Sequence, residues 1–340
     1  MDPQVRPLAS LGDSLMHRRK LVRWLVAGLT LLAGTLTAGA TDFPTKPIRI
    51  VVPYAVGGGS DIFARVIAQK LSERLSQPVV VENRVGAGGI IGADHVAKSA
   101  PDGHTLLLAS VGIYDLSPAL YPKLPYKASD LIPVVEIASS PLLMVTASGS
   151  SVKSIQDVIA REKQRPGGLS MASAGAGSLT HLAIMLLNES AGTRLQHVPY
   201  RGGGAALVDV MGGQVDMMFI GTPPAMPAIA DGRIRVLAVT SARRVASLPD
   251  APTLAESVAS GLTATSEDAI FLPAGTPSQI VALLHREITQ VINLPDVRKR
   301  WTDLGADRGR TLAPEQFRAA LDRSAAKWGK VVSEANIKLD

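Results

Sequence analysis

The chain has 340 residues, 46% of them hydrophobic, which is more than the ~100–200 residues that one domain usually holds. It has no cysteine, which excludes thiol catalysis, cysteine-based zinc sites and disulfides. The formal net charge of +6 belongs partly to the N-terminus: without residues 1–40 it is 30 basic against 27 acidic side chains, or +3, too small and too scattered for a nucleic-acid footprint.

The N-terminus reads as a secretory signal peptide over residues 1–40, and the expected location is therefore periplasmic. His17-Arg18-Arg19-Lys20 is the basic region, and Leu21 to Leu36 is apolar apart from Arg23, small residues and threonines. Ala38-Gly39-Ala40 fits the cleavage rule, and Met16 makes a better start than Met1. The apolar run is shorter than the ~20 residues a spanning helix needs.

After Asp42, Ile48 to Val52 predicts a strand covered on both faces. Pro53 ends it, and Tyr54-Ala55-Val56-Gly57-Gly58-Gly59-Ser60-Asp61 forms a glycine turn into a helix with apolar residues at helical spacing from Ile62 to Leu75. Val79-Val80-Val81 is the next strand, parallel to the first through a right-handed crossover. Gly86-Ala87-Gly88-Gly89 opens a second helix, and His104 to Ala109 is a third strand with Ser110-Val111-Gly112 at its carboxyl end. The region from Pro118 to Tyr126 reads as irregular. Ile132 to Ile137 and Leu142 to Thr146 read as two short strands, the second a candidate crossing into another lobe.

From Ser154 the alternation restarts. A helix over 155–163 precedes the strand Leu169–Ala172, the loop Ser173-Ala174-Gly175-Ala176-Gly177-Ser178 and a helix over 179–190. The strand Leu195–Val198 runs into a second glycine turn, Tyr200-Arg201-Gly202-Gly203-Gly204, and a short helix to Met211. Val215–Ile220 is a strand that ends in the loop Gly221-Thr222-Pro223-Pro224, and Ile234–Thr240 is another. Ala264 to Leu272 is the expected return crossing, before two long helices over 278–294 and 314–334. The alternation predicts an α/β fold of two lobes facing a cleft, with the site at the strand carboxyl ends. The expected boundaries are 43–143 plus 270–340 for the first lobe and 144–269 for the second.

The loops meeting in that cleft hold glycines, hydroxyls and backbone rather than catalysts. Helix starts offer N–H groups without partners and a partial positive charge, which suits an anion. Tyr54, Val56, Gly57, Gly58, Gly59, Ser60 and Ser110 are the candidate contacts on one side. Ser173, Ala174, Gly175, Gly177, Ser178, His181, Tyr200, Arg201, Gly202, Gly203, Gly221 and Thr222 are those on the other. Asp61 either secures its loop or binds an ammonium group on the ligand; Arg201 is either a cleft contact or solvated. No G-x-G-x-x-G follows the first strand, no G-x-S-x-G occurs, and no H-x-x-x-H or carboxylate cluster suggests a metal. No cofactor is expected. A secreted hydrolase using Ser178 and His181 is the enzymatic alternative.

Several runs together resemble the Bug-type receptors, the solute-binding proteins of tripartite tricarboxylate transporters. They include Lys46-Pro47-Ile48-Arg49 and Val52-Pro53-Tyr54 with Gly57 to Asp61, Val81-Glu82-Asn83-Arg84 with Gly86 to Gly89, Ala100-Pro101-Asp102-Gly103 and Val198-Pro199-Tyr200. Gly212-Gly213-Gln214-Val215, Pro273-Ala274-Gly275-Thr276-Pro277 and Trp328-Gly329-Lys330 extend the match over essentially the whole chain after the leader. The resemblance implies a monomeric two-lobed periplasmic binding protein (a type II Venus flytrap). It closes on a small carboxylate — an amino acid, a dicarboxylate or an aromatic acid — and delivers it to integral membrane permease subunits. A sensory receptor on the same fold is the alternative. It also implies that loops from both lobes grip one ligand carboxylate. Three positions depart from the family pattern: Ala174 and Ala176 make the second-lobe loop less polar, Ile220 stands where a polar residue is frequent, and Glu267 and Asp268 replace an aromatic residue. Those acids bind an amine if they face the cleft and have no bearing on binding if they face solvent.

Overall fold

The computed structural model describes residues 43–121, 123–245, 247–258 and 262–334. The signal-peptide reading and the last residues of the expected first lobe lie outside them. Among the described residues no helix is long and apolar enough to cross a membrane.

The first strands are β1 (Ile48–Val52), β2 (Val79–Asn83) and β3 (Thr105–Ser110), with β1 parallel to both others. Next in chain order is β4 (Leu131–Ala147), and far along the chain β9 (Thr265–Pro273) fits antiparallel between β3 and β4. The remaining strands are β5 (Ser170–Ser173), β6 (Gln196–Pro199), β7 (Met217–Gly221) and β8 (Ile234–Val239), with the short β10 (Asp307–Arg308) beside β4. β5 lies parallel to β6 and β7, and β7 and β8 flank β4 antiparallel.

β4 joins the two halves of this arrangement. It has 17 residues, about three times the usual strand length. From Leu131 to Pro141 it pairs with β9, and from Leu142 to Thr146 with β7. The two short strands expected here are therefore one. Ser139-Ser140-Pro141 looks like a break in the sequence, but Pro141 falls where the strand exchanges partners. A missing N–H costs little where the ladder is already interrupted. β9 matches the expected return crossing, shifted by one residue at each end.

Side-chain alternation explains why the strands read as unbroken apolar runs. Ile48, Ile50, Val52, Leu106 and Leu108 pack with Phe63, Leu284 and Trp301 on one face of the first half, while Val51, Leu107, Ala109 and Phe271 pack with Ile90, Tyr114 and Phe317 on the other. The second half repeats the scheme. Met144, Met171 and Phe219 face Ile155 and Leu187, and Leu143, Val145 and Ile220 face Ala206, Val210 and Ala225. Both faces are covered, so few strand positions are left for polar residues.

Two further differences are local. The short helix Ser117–Leu120 runs into the region read as irregular from Pro118, and another short helix, Gly112–Asp115, follows the Ser110 loop. The loop expected at Gly221-Thr222-Pro223-Pro224 instead begins the helix Thr222–Ala230. Pro223 and Pro224 occupy the first turn, where N–H groups lack intrahelical partners in any case, while Pro227 stands inside the helix.

Candidate functional site

The carboxyl ends of β1, β3, β5, β6 and β7 converge on a cavity of about 170 Å³. Its wall includes the starts of the helices Gly59–Leu75, Leu179–Ala191 and Gly203–Met211, and Gly221, which precedes Thr222–Ala230. Helix starts from both halves of the sheet thus surround one space. Each favours a nearby negative charge by ~0.3–1 kcal/mol.

Of the residues expected to form the site, the wall holds Tyr54, Gly58, Gly59, Ser60, Ser110, Ala174, Gly177, Ser178, Gly202, Gly203, Gly221 and Asp268. Val56, Gly57, Asp61, Ser173, Gly175, His181, Tyr200, Arg201 and Thr222 lie off it. Most of these have evident tasks behind the wall. Tyr200 donates its hydroxyl to Asp209 at 2.7 Å, and Thr222 donates to the Gly305 carbonyl at 2.8 Å. Val56 and Arg201 are exposed.

Asp61 is buried and ties its loop from behind. It accepts from the Gly57 N–H at 2.9 Å, from Arg65 at 3.0 Å through two nitrogens, and from Asn83 Nδ2 at 3.0 Å. The same Asn83 amide also donates to the Tyr54 carbonyl. Burial alone raises its pKa, but Arg65, Gly57 and Asn83 together hold it below the ordinary carboxylate value. Of the two roles the sequence left open, the geometry has the loop-securing one. Asn83, which sequence reasoning did not single out, is its anchor.

The second-half loop is also fixed by its own side chains. Ser178 Oγ caps the helix by accepting from the His181 N–H at 3.3 Å and donates to the Gly175 carbonyl at 2.7 Å. Thr180 Oγ1 accepts from the Ala174 N–H at 2.9 Å. His181 Nδ1 accepts from the Gly177 N–H at 3.2 Å, so it is not free to act as a base toward Ser178. The serine–histidine pair of the hydrolase alternative is spent on loop structure. Behind it, the His181 and His197 rings stack with centroids 3.8 Å apart, and His197 Nε2 meets Ser173 Oγ at 2.7 Å.

That stack has a pH consequence. Burial and then the neighbouring His181 push His197 down to about 4. The folded chain therefore binds fewer protons than the unfolded chain between about pH 6.5 and pH 4, and stability falls as pH falls through that window. For a partly exposed ring the loss is discounted to roughly 1–2 kcal/mol. Comparing urea unfolding of the wild type and His197→Gln at pH 7 and pH 4.5 isolates it. The wild type is expected to lose more stability than the variant; parallel losses sink the assignment.

The charge on the wall is the least expected feature. It holds no Lys, Arg or His among the described residues, yet it holds two carboxyl groups, Asp115 and Asp268, which are 3% and 2% exposed. Desolvation raises both to about 6, against the opposing hydrogen bonds from Ser324 and Ser60. Glu267, next to Asp268, points the other way, to Arg310 at 2.9 Å, and Arg310 also holds Glu136 at 2.6 Å. The Tyr54 phenol is pushed above its ordinary value by burial and then by Asp268. Sequence reasoning also missed Asp115, Ser140, Thr265, Ser266 and Trp328. An acid just past the end of β3 was a usable signal for Asp115; Trp328 arrives on a helix from the far end of the chain. Among the described residues no group of acids and histidines is arranged to hold a metal ion.

Comparison with known proteins agrees with this geometry. The family described as "Tripartite tricarboxylate transporter family receptor" matches residues 63–337. The protein BugT of Bordetella pertussis is 36% identical over 92% of this chain and 97% of its own length. An R. palustris protein solved with adipate superposes with a TM-score of 0.83 at 33% identity, over 87% of this chain and all of the other. MatC from Rhodopseudomonas palustris, solved with bound malate, gives 0.81 at 33% identity, over 85% of this chain and 100% of that one.

Proposed function

The chain belongs to the tripartite tricarboxylate transporter receptor family, and from that premise we propose that it is an exported receptor which captures a small carboxylate between two lobes and hands it to integral membrane permease subunits. The family is one of solute-binding proteins rather than enzymes. The observation that carries the reading is the cavity ringed by helix starts from both halves of the sheet. Adipate and malate in the two solved relatives are carboxylates of the right kind. An amino acid and an aromatic acid belong to the same chemical range.

The expected lobes are 43–143 plus 270–340 and 144–269; we propose the same first crossing and a return before Thr265. The exchange of partners in β4 near Leu142 supports the first boundary, and the pairing of Thr265 to Ala269 with β4 argues for an earlier return. A leader over residues 1–40 would carry the protein to the periplasm, where it acts as a monomer. Calorimetric titration of the mature protein with dicarboxylates, aromatic acids and amino acids tests the reading. At least one of them is expected to bind one-to-one at micromolar affinity, ~8 kcal/mol. If none binds, the receptor reading fails.

A further inference from the structure

Buried charges in proteins are paired or else cost heavily. Most acids near this cavity obey the rule: Asp61 has Arg65, and Glu136 and Glu267 share Arg310. Asp268 does not. Its one hydrogen bond among the described residues comes from Ser60 Oγ to Oδ1, which leaves Oδ2 to the cavity. Asp115, also on the wall, accepts from the neutral hydroxyl of Ser324. No described wall residue carries a positive charge, and strand alternation puts Glu267, with its partner Arg310, on the face of β9 opposite to Asp268. A cation for Asp268 has to arrive with the ligand.

Resting on the receptor reading above, we infer that the cavity takes a carboxylic acid that also carries an ammonium group, and that Asp268 is the residue that selects it. The ligand carboxylate faces the helix starts, and its ammonium group donates to Asp268 Oδ2, with Asp115 adding negative potential. Leu142, Phe219, Ile220 and Trp328 enclose the body between the two ends. Burial lifts the Asp268 carboxyl to about 6, and a neighbouring ammonium group favours its ionised form. Protonated, it would instead donate to a second carboxylate on the ligand, and the test separates these two cases.

The test uses matched probes at pH 7.5 on the wild-type mature protein: L-glutamate with glutarate, L-2-aminoadipate with adipate, and L-phenylalanine with 3-phenylpropanoate. In at least one pair the amino member is expected to bind about tenfold tighter or more, since a hydrogen bond between charged groups is being added. Asp268→Asn keeps the shape and can still accept from Ser60, and it is expected to shrink that ratio to about one. If the member without the amine binds as well or better in every pair, or if Asp268→Asn keeps the wild-type ratio, the inference is overturned and the carboxylate-receptor reading stands. Silence from all six acids overturns this inference, and the receptor reading is then decided by the wider titration described above. The wild-type comparison needs no variant, so a poorly folding Asp268→Asn does not protect the inference.

Discussion

Gly202→Val is expected to weaken ligand binding by roughly 10–100-fold, because it strikes both the backbone and the contact between the two glycine turns. Gly202 has φ 128° and ψ 158°, a conformation open to glycine and costing other residues ~1–3 kcal/mol. A Cβ there would lie 2.9 Å from Ala55 Cβ, in the loop after β1. Both residues line the cavity, so the added atoms push apart the walls that must close on the ligand. Gly204→Ala is the control. A Cβ at Gly204 meets nothing within 4 Å, and alanine favours the helix that the residue sits in. Calorimetry with whichever acid binds the wild type should show the loss at Gly202 alone. Wild-type affinity in Gly202→Val would mean that the two turns do not work as a pair.

Trp301→Ala is expected to cost ~3–5 kcal/mol of stability, among the largest effects of any single substitution in this chain. Trp301 is 1% exposed and packs against Phe63, ring centroids 4.8 Å apart, in the core of the first half. Its indole N–H donates to the Ile137 carbonyl at 3.0 Å, across 164 residues of sequence. Alanine leaves a cavity and removes one of two donors to the Ile137 carbonyl, which still accepts from the Gly309 N–H at 3.1 Å. Trp301→Phe keeps most of the packing and loses one hydrogen bond to a carbonyl that keeps another, so it should cost only ~0.5–1.5 kcal/mol. Urea unfolding followed by circular dichroism gives both values. A loss under ~1 kcal/mol for the alanine variant would show that the core collapses around the site far better than large-to-small substitutions usually allow.

Much of this molecule is readable from its residues because a sheet covered on both faces leaves a plain apolar signature. Ile48–Val52 and Val215–Ile220 were visible for that reason, and so were the glycine turns, whose residue type is dictated by bare backbone. What the sequence hid depended on register and on distant partners. Ile132 to Ile137 and Leu142 to Thr146 read as two strands because pairing, not composition, decides whether a strand continues. Glu267 and Asp268 looked equivalent until the pairing of β9 turned one to Arg310 and the other to the cavity. The i, i+4 spacing of Asp61 and Arg65 was a legible hint that Asp61 serves its loop. The Asn83 bond that completes the arrangement crosses 22 residues and was not.

The placement of β9 also bears on how the chain assembles. Ser60 and Asp268 are hydrogen-bonded although 208 residues separate them, and β9 is the neighbour that β3 and β4 share. The half carrying the earliest strands is therefore unfinished until late sequence has been threaded between them. The half inserted in the middle draws β5, β6, β7 and β8 from one contiguous stretch and closes shorter loops, at lower entropic cost. The N-terminal glycine turn is thus among the first parts of the site to leave the ribosome, yet the aspartate facing it comes from a strand made much later.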